Sequence, residues 1–206
     1  MPTPHAAATL PVAGDRCRPG DNGRMSSVAS VALTQSIVER EQHVAADGWD
    51  QRPRMFALVP TAELLVTQPR MAAALGITDD AAASGGIPTL TSIEQDGLAL
   101  DQPLDEMLGK MVWPAAVEGC ALVIESQMLP PSAEAQIPEG LAGADLERWV
   151  SKHPEREDVR MAVGVLRDGT RQAAIRLRSK DSDMDVLSGP DLVPNLAEAL
   201  LRTFDE

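Results

Sequence analysis

Tyrosine is absent from the 206-residue chain, and phenylalanine occurs only twice. Proteins that hold single-stranded nucleic acid stack its bases on aromatic rings, and this chain has few rings to offer. Positive charge is also scarce: 18 Lys and Arg stand against 31 Asp and Glu, a formal net charge of −13. A duplex or an anionic membrane surface would repel such a body, so neither nucleic acid nor membrane is an expected partner. Cysteine occurs twice, at Cys17 and Cys120. Two such residues build no disulfide framework, which suits a reducing cytoplasm. No apolar run approaches the roughly 18 to 20 residues of a membrane span. The mildly apolar residues 6–14 are followed, not preceded, by Arg16 and Arg18, the reverse of a secretory signal.

What is present fits one domain and a tail. Residues 1–30 mix Pro, Gly, Ser and Ala without periodicity, which predicts a disordered tail or a start site at Met25 in place of Met1. Residues 31–206 read as a single α+β domain. Leu33, Ile37 and Val44 share one face of a helix over 30–46 that Gly48 stops. Strands are expected near 54–59, 90–95, 120–128, 159–167 and 170–178. Together they predict a mostly antiparallel sheet of about five strands with helices packed mainly on one face, those at 31–46 and 191–204 within that layer. Pro103 opens an amphipathic helix with Leu104, Met107, Leu108, Met111 and Val112 at i, i+3, i+4, i+7 and i+8. Leu146, Trp149, Val150 and His153 make a second such face, and Asp191 is placed to cap a final helix that buries Val193, Leu196, Ala197, Leu200 and Phe204.

The segment from Val159 to Arg178 carries the most information. A two-residue turn at Asp168-Gly169 would pair Met161 with Arg176 and mix apolar with charged side chains. A three-residue loop, Arg167-Asp168-Gly169, with Gly169 left-handed, instead pairs Val163 with Ala173, Met161 with Ile175 and Val159 with Leu177, gathering the apolar residues on one face. The same register places Arg160, Arg176 and Arg178 together on the other face. Guanidinium forks grip phosphates and carboxylates, so this stripe is a candidate anion site. The plainer reading is a solvated sheet face balanced by Asp158, Asp181, Asp183 and Asp185.

Recognisable chemistry is otherwise missing from the sequence. Cys120 sits in a strand read as covered on both faces and has no histidine at motif spacing, so it reads as a packed thiol. His43 and His153 are lone helical histidines, the latter suited to a last helical turn. Ser84-Gly85-Gly86 lacks the strand–turn–helix setting of a nucleophile elbow or phosphate loop. Asp181, Asp183 and Asp185 open like a calcium loop, but Val186 and Leu192 stand where glycine and glutamate are required. No metal or other cofactor is expected.

Four segments, DGWDQRPRMFALVPTAELL, MVWPAAVEGCALVIE, SKHPEREDVRMAVGVLRDGTRQAAIRLRS and GPDLVPNLAEALL, give residues 31–206 a resemblance to an actinobacterial family of small cytoplasmic proteins of unknown function. The resemblance implies a lineage and a cytoplasmic setting and transfers no catalytic residue. The leading expectation is therefore a non-enzymatic interaction protein, an adaptor or chaperone-like binder of a protein partner. Two alternatives stay open: a small anionic ligand at Arg160, Arg176 and Arg178, and an enzyme whose carboxylates, such as Glu118 or Glu125, converge only in the folded chain.

Overall fold

The computed structural model describes residues 21–96 and 103–205. In chain order the elements are α1 (Asp21–Ala45), β1 (Arg54–Pro60), α2 (Thr61–Thr67), α3 (Pro69–Ala74), β2 (Ala83–Ser84), β3 (Ile87–Pro88), β4 (Leu90–Glu94) and α4 (Leu104–Leu108). There follow β5 (Gly119–Met128), α5 (Pro131–Glu134), α6 (Gly143–Lys152), β6 (Glu157–Leu166), β7 (Arg171–Leu177), β8 (Leu187–Gly189) and α7 (Pro194–Leu201). Six strands form one antiparallel sheet in the order β4-β1-β5-β6-β7-β8, and β2 pairs with β3 in a separate short ribbon. The fold is α+β, with one more strand in the main sheet than the sequence indicates. None of the helices among the described residues is long and apolar enough to cross a membrane.

The hairpin forms in the expected register: Val163 faces Ala173, Met161 faces Ile175 and Val159 faces Leu177. Leu166 N–H donates to the Thr170 carbonyl at 2.8 Å, closing a loop of three residues. Gly169 has φ +87°, a conformation that costs glycine nothing and a β-branched residue much. In the neighbouring strand β5, Cys120 and Leu122 enter one core, and Ala121 and Val123 enter a second on the opposite face.

Helices cover both faces of the sheet, which corrects the expectation of a layer mainly on one. Residues of α2, α3, α4 and α7 pack with Met55, Ala57, Cys120, Leu122, Val163 and Val165. On the other face α1 sends Leu33, Ile37 and Val44 against Phe56, Leu58, Ala121, Val123 and Ala162. Close seating of α1 depends on Gly164, whose missing side chain leaves room for Ile37; a Cβ built there would collide with the Ile37 Cδ1 methyl. Once docked in this way a helix propagates at low cost, and α1 begins at Asp21, nine residues before the predicted start and within the segment read as a tail. Residues 1–20 lie outside the described residues.

Three other helices differ from expectation in extent. Gly109 ends α4 after Leu108, so Met107 and Leu108 are buried while Val112 is exposed. The strongly amphipathic α6 has no fully buried residue. Pro194 opens α7, with Val193 at the cap position, and leaves Asp191 to pair with Arg171 at 2.6 Å. Ala197 and Leu200 are buried as expected, and Phe204 stacks on Trp113 with ring centroids 6.1 Å apart.

Candidate functional site

The three arginines of the hairpin do lie on one face, with Arg160 directly opposite Arg176. Two like charges so placed repel unless an acid intervenes, and α1 supplies it. Glu41, wholly buried, accepts hydrogen bonds from Arg176 Nε at 2.7 Å and Arg176 Nη2 at 2.8 Å, and its Oε1 lies 3.9 Å from Arg160 Nη1. Asp183 and Asp181 approach Arg176 from the following loop at 2.5 and 3.4 Å. Hydrogen bonds donated to Glu41 and then to Asp183 hold the Arg176 guanidinium even more firmly protonated than usual. Arg160 and Arg176 are therefore a buried layer between sheet and helix, not a solvated face; Glu41 is the main counter-charge of Arg176, and Glu125 that of Arg160. The helical stripe of Leu33, Ile37 and Val44 contains position 41, so an acid on a buried face was the signal for this pairing.

Arg160 is further clamped by the turn after α1. Its Nη2 donates to the Gly48 carbonyl and, at 2.8 Å, to Glu125 Oε1. Glu125 Oε2 accepts the Asp50 N–H at 2.7 Å, which fixes Asp50 in a left-handed conformation with φ 67°. The Trp49 ring lies 4.4 Å from the Arg160 guanidinium and 5.4 Å from that of Arg178, and its Nε1 donates to Asp181 at 2.8 Å. Arg178 is the accessible member of the three, and Asp50 meets it with two bonds of 3.0 and 3.1 Å. That contact holds the Asp50 carboxyl below the usual carboxylate range. The cleft at this end, about 220 Å³, presents Asp50, Glu125 and Asp158 around the single guanidinium of Arg178. An incoming anion would meet three carboxylates.

The remaining sequence candidates are separate from one another. Burial pushes the Cys120 thiol up to about 12, partly offset by the Thr203 hydroxyl 3.9 Å away. His153 packs on Trp149, with ring centroids 4.9 Å apart, and His43 lies 3.4 Å from Arg54. No group of three or more metal-binding side chains converges among the described residues.

At the opposite end of the sheet, where the β6–β7 turn meets the first described turns of α1, an apolar groove of about 470 Å³ opens. Val28, Ala29 and Ala32 form one wall, and Pro60, Leu90 and Leu166 form the floor and the other wall. Two carboxylates stand in it, Glu118 and Asp168. Glu118 is fixed through its backbone: its N–H donates to the Leu58 carbonyl at 3.0 Å, and its carbonyl accepts from Arg167 N–H at 2.9 Å. Its half-buried carboxylate makes no hydrogen bond or ion pair with the described residues. Asp168 accepts the Thr170 N–H at 2.8 Å within its own turn. Glu118 was one of two carboxylates singled out in the sequence; the groove around it was not legible, because its walls come from five distant segments.

No curated protein and no solved structure matches the chain. A family match spans residues 33–205, from α1 to the end of the described structure. On that match, the chain belongs to the PPA1309-like protein family.

Proposed function

We propose that this protein is a non-enzymatic, cytoplasmic interaction protein that holds an apolar segment of a protein partner, flanked by lysine or arginine, in the groove beside α1. The observation that carries the reading is the Glu118 carboxylate, half-buried in a mostly apolar groove and without a hydrogen-bond or ion-pair partner among the described residues. A carboxylate in that setting loses hydration and gains nothing in return, whereas a cation delivered by a docked chain would pair with it where the field is least screened. The net charge of −13 acts in the same direction by drawing basic partners to the surface.

The two alternatives find less support. Arg160 and Arg176 are engaged with Glu41, Glu125 and Asp183, and Arg178 with Asp50; an anion at Arg160, Arg176 and Arg178 would have to displace these carboxylates. Acid–base catalysis at Glu118 needs a second group within reach of a reacting atom, and Asp168 is engaged in its turn. Glu125 braces Arg160 and Asp50 with both oxygens.

The test is selection of random seven-residue peptides displayed on phage against the full chain, with tiles of the chain's own residues 1–20 included. Enriched peptides should combine apolar positions with Lys or Arg and lose binding at least tenfold to Val28→Arg, which obstructs the groove. Enrichment of the chain's own tiles would assign the groove to that segment, and a dimer dissolved by Val28→Arg would assign it to a second copy. Either outcome, or peptides indifferent to Val28→Arg, would overturn the reading.

A further inference from the structure

The groove continues along the edge of the sheet. A shallow depression lined by Gln35, Ser36 and Glu39 shares Ala32, Thr89 and Leu90 with the groove, so the two form one track between α1 and β4. Among the described residues β4 is an edge strand whose ladder partner is β1. Gln95 N–H donates to the Met55 carbonyl at 2.8 Å, and the Thr89 carbonyl accepts from Thr61 N–H at 3.0 Å. In a register where Glu94 faces Phe56 and Leu90 faces Pro60, alternation turns the odd-numbered residues toward β1. The N–H and C=O groups of Leu90, Ser92 and Glu94 then point away from the sheet, and none makes a further hydrogen bond among the described residues. Edges of this kind are usually blunted by proline, lysine or a bulge; the β4 segment LTSIE has neither proline nor lysine.

The helix stands over this edge. Ser36 Oγ of α1 lies 3.1 Å from Ser92 Oγ of β4, and Leu90 packs partly against the α1-side core. From Val28 to Glu39 the helix runs about 17 Å at 1.5 Å per residue, and β4 runs about 13 Å from Leu90 to Glu94 at roughly 3.3 Å per residue. Carboxylates mark both ends of the track, Glu118 and Asp168 at one and Glu39 at the other.

Resting on the proposed function, we infer that the partner segment binds in extended form, as a seventh strand added to the open edge of β4. About five residues pair with the outward groups of Leu90, Ser92 and Glu94. Alternate apolar side chains enter the groove under α1, and basic residues at the two ends meet Glu118 and Glu39. Backbone pairing accounts for affinity without a specific sequence, and the groove selects for apolar residues at every second position, the division of labour expected of strand addition.

The experiment uses the strongest peptide from the displayed seven-residue library, synthesised in its parent form and with single backbone N-methyl groups at each position. Hydrogen exchange of the full chain is followed with and without the peptide. Strand addition predicts that N-methylation at alternate positions weakens binding more than tenfold while the intervening positions are silent. It also predicts that the exposed amides of Ser92 and Glu94 exchange at least tenfold more slowly in the complex. Ser92→Pro, which removes an outward N–H, should weaken binding similarly; if that variant fails to fold, the peptide series still decides. A peptide that is blocked by Val28→Arg yet is insensitive to N-methylation and leaves the Ser92 and Glu94 amides unchanged would overturn strand addition while keeping the groove as the site. Peptides that ignore Val28→Arg would overturn both.

Discussion

Arg176→Met tests the ionic layer under α1. In the native protein the Glu41 carboxylate lies between two arginines, with side-chain exposures of 1% for Glu41, 3% for Arg176 and 0% for Arg160. Removing Arg176 deletes the hydrogen bonds of 2.7 and 2.8 Å and leaves Glu41 with Arg160 Nη1 at 3.9 Å. Breaking a buried pair from one side costs about 3–5 kcal/mol, because the surviving charge stays buried without its partner. At about 2–4 °C per kcal/mol for a domain of this size, melting should fall by roughly 6–20 °C. Glu41→Met should cost less, since Arg176 keeps the accessible Asp183 and Asp181 at 2.5 and 3.4 Å. The double variant Glu41→Met/Arg176→Met replaces the pair with apolar volume and should recover most of the loss, giving a coupling energy of about 2 kcal/mol or more. Urea melts of the four proteins, compared at constant m, measure all three quantities. Single variants that each cost under about 0.5 kcal/mol and simply add would mean that the pair is hydrated, and would refute the seating of α1 over the arginines.

Further outcomes follow from other contacts. Gly164→Ala should destabilise by about 1–3 kcal/mol, because the new methyl displaces Ile37 and lifts α1; an unchanged urea midpoint would show that α1 is seated further from the sheet. With Cys17→Ser to isolate the other thiol, Cys120, held up to about 12 by burial, should resist a disulfide reagent at pH 8 until the chain unfolds; prompt labelling of the native protein would refute its burial. Hydrogen bonds from Arg54 hold the Glu94 carboxyl below its ordinary value. A depressed carboxylate stabilises above the unfolded value, about 4.3, and loses that contribution as pH falls through the folded one. The stability gap between the parent and Glu94→Gln should therefore be full at pH 7 and close toward pH 3; a gap independent of pH would remove Glu94 from the ion pair.

The sequence carried the hairpin because two constraints met there: only one loop length put Val159, Met161 and Val163 opposite Leu177, Ile175 and Ala173. Strand β5 was legible for a similar reason, its alternate residues being apolar on both faces. The sixth strand, Leu187–Gly189, was not, since three residues following an acidic loop carry no period. Placement of α1 was lost for a different reason. Amphipathicity identifies which side of a helix is buried, but not which face of a sheet receives it, and the stripe was read through its apolar members without Glu41. The arginine cluster was located correctly as a group, whereas its burial depended on that missed face. The groove had no local signature at all: Val28, Pro60, Leu90, Glu118 and Leu166 are brought together by the meeting of strand ends and a helix, and only Glu118 drew notice as a carboxylate beside the central strand.

Charge reversal at Glu118 distinguishes a groove that selects basic flanks from one that takes any apolar segment. Glu118 has no partner among the described residues to lose, so Glu118→Lys should fold with an unchanged melting profile, and matched peptides with an identical apolar middle flanked by lysine or by glutamate can be titrated against both proteins. The parent should prefer the lysine-flanked peptide, and Glu118→Lys should lower this preference at least tenfold, in the direction of the glutamate-flanked one. Equal binding of the two peptides to the parent, or a preference left unchanged by Glu118→Lys, would contradict selection for basic flanks.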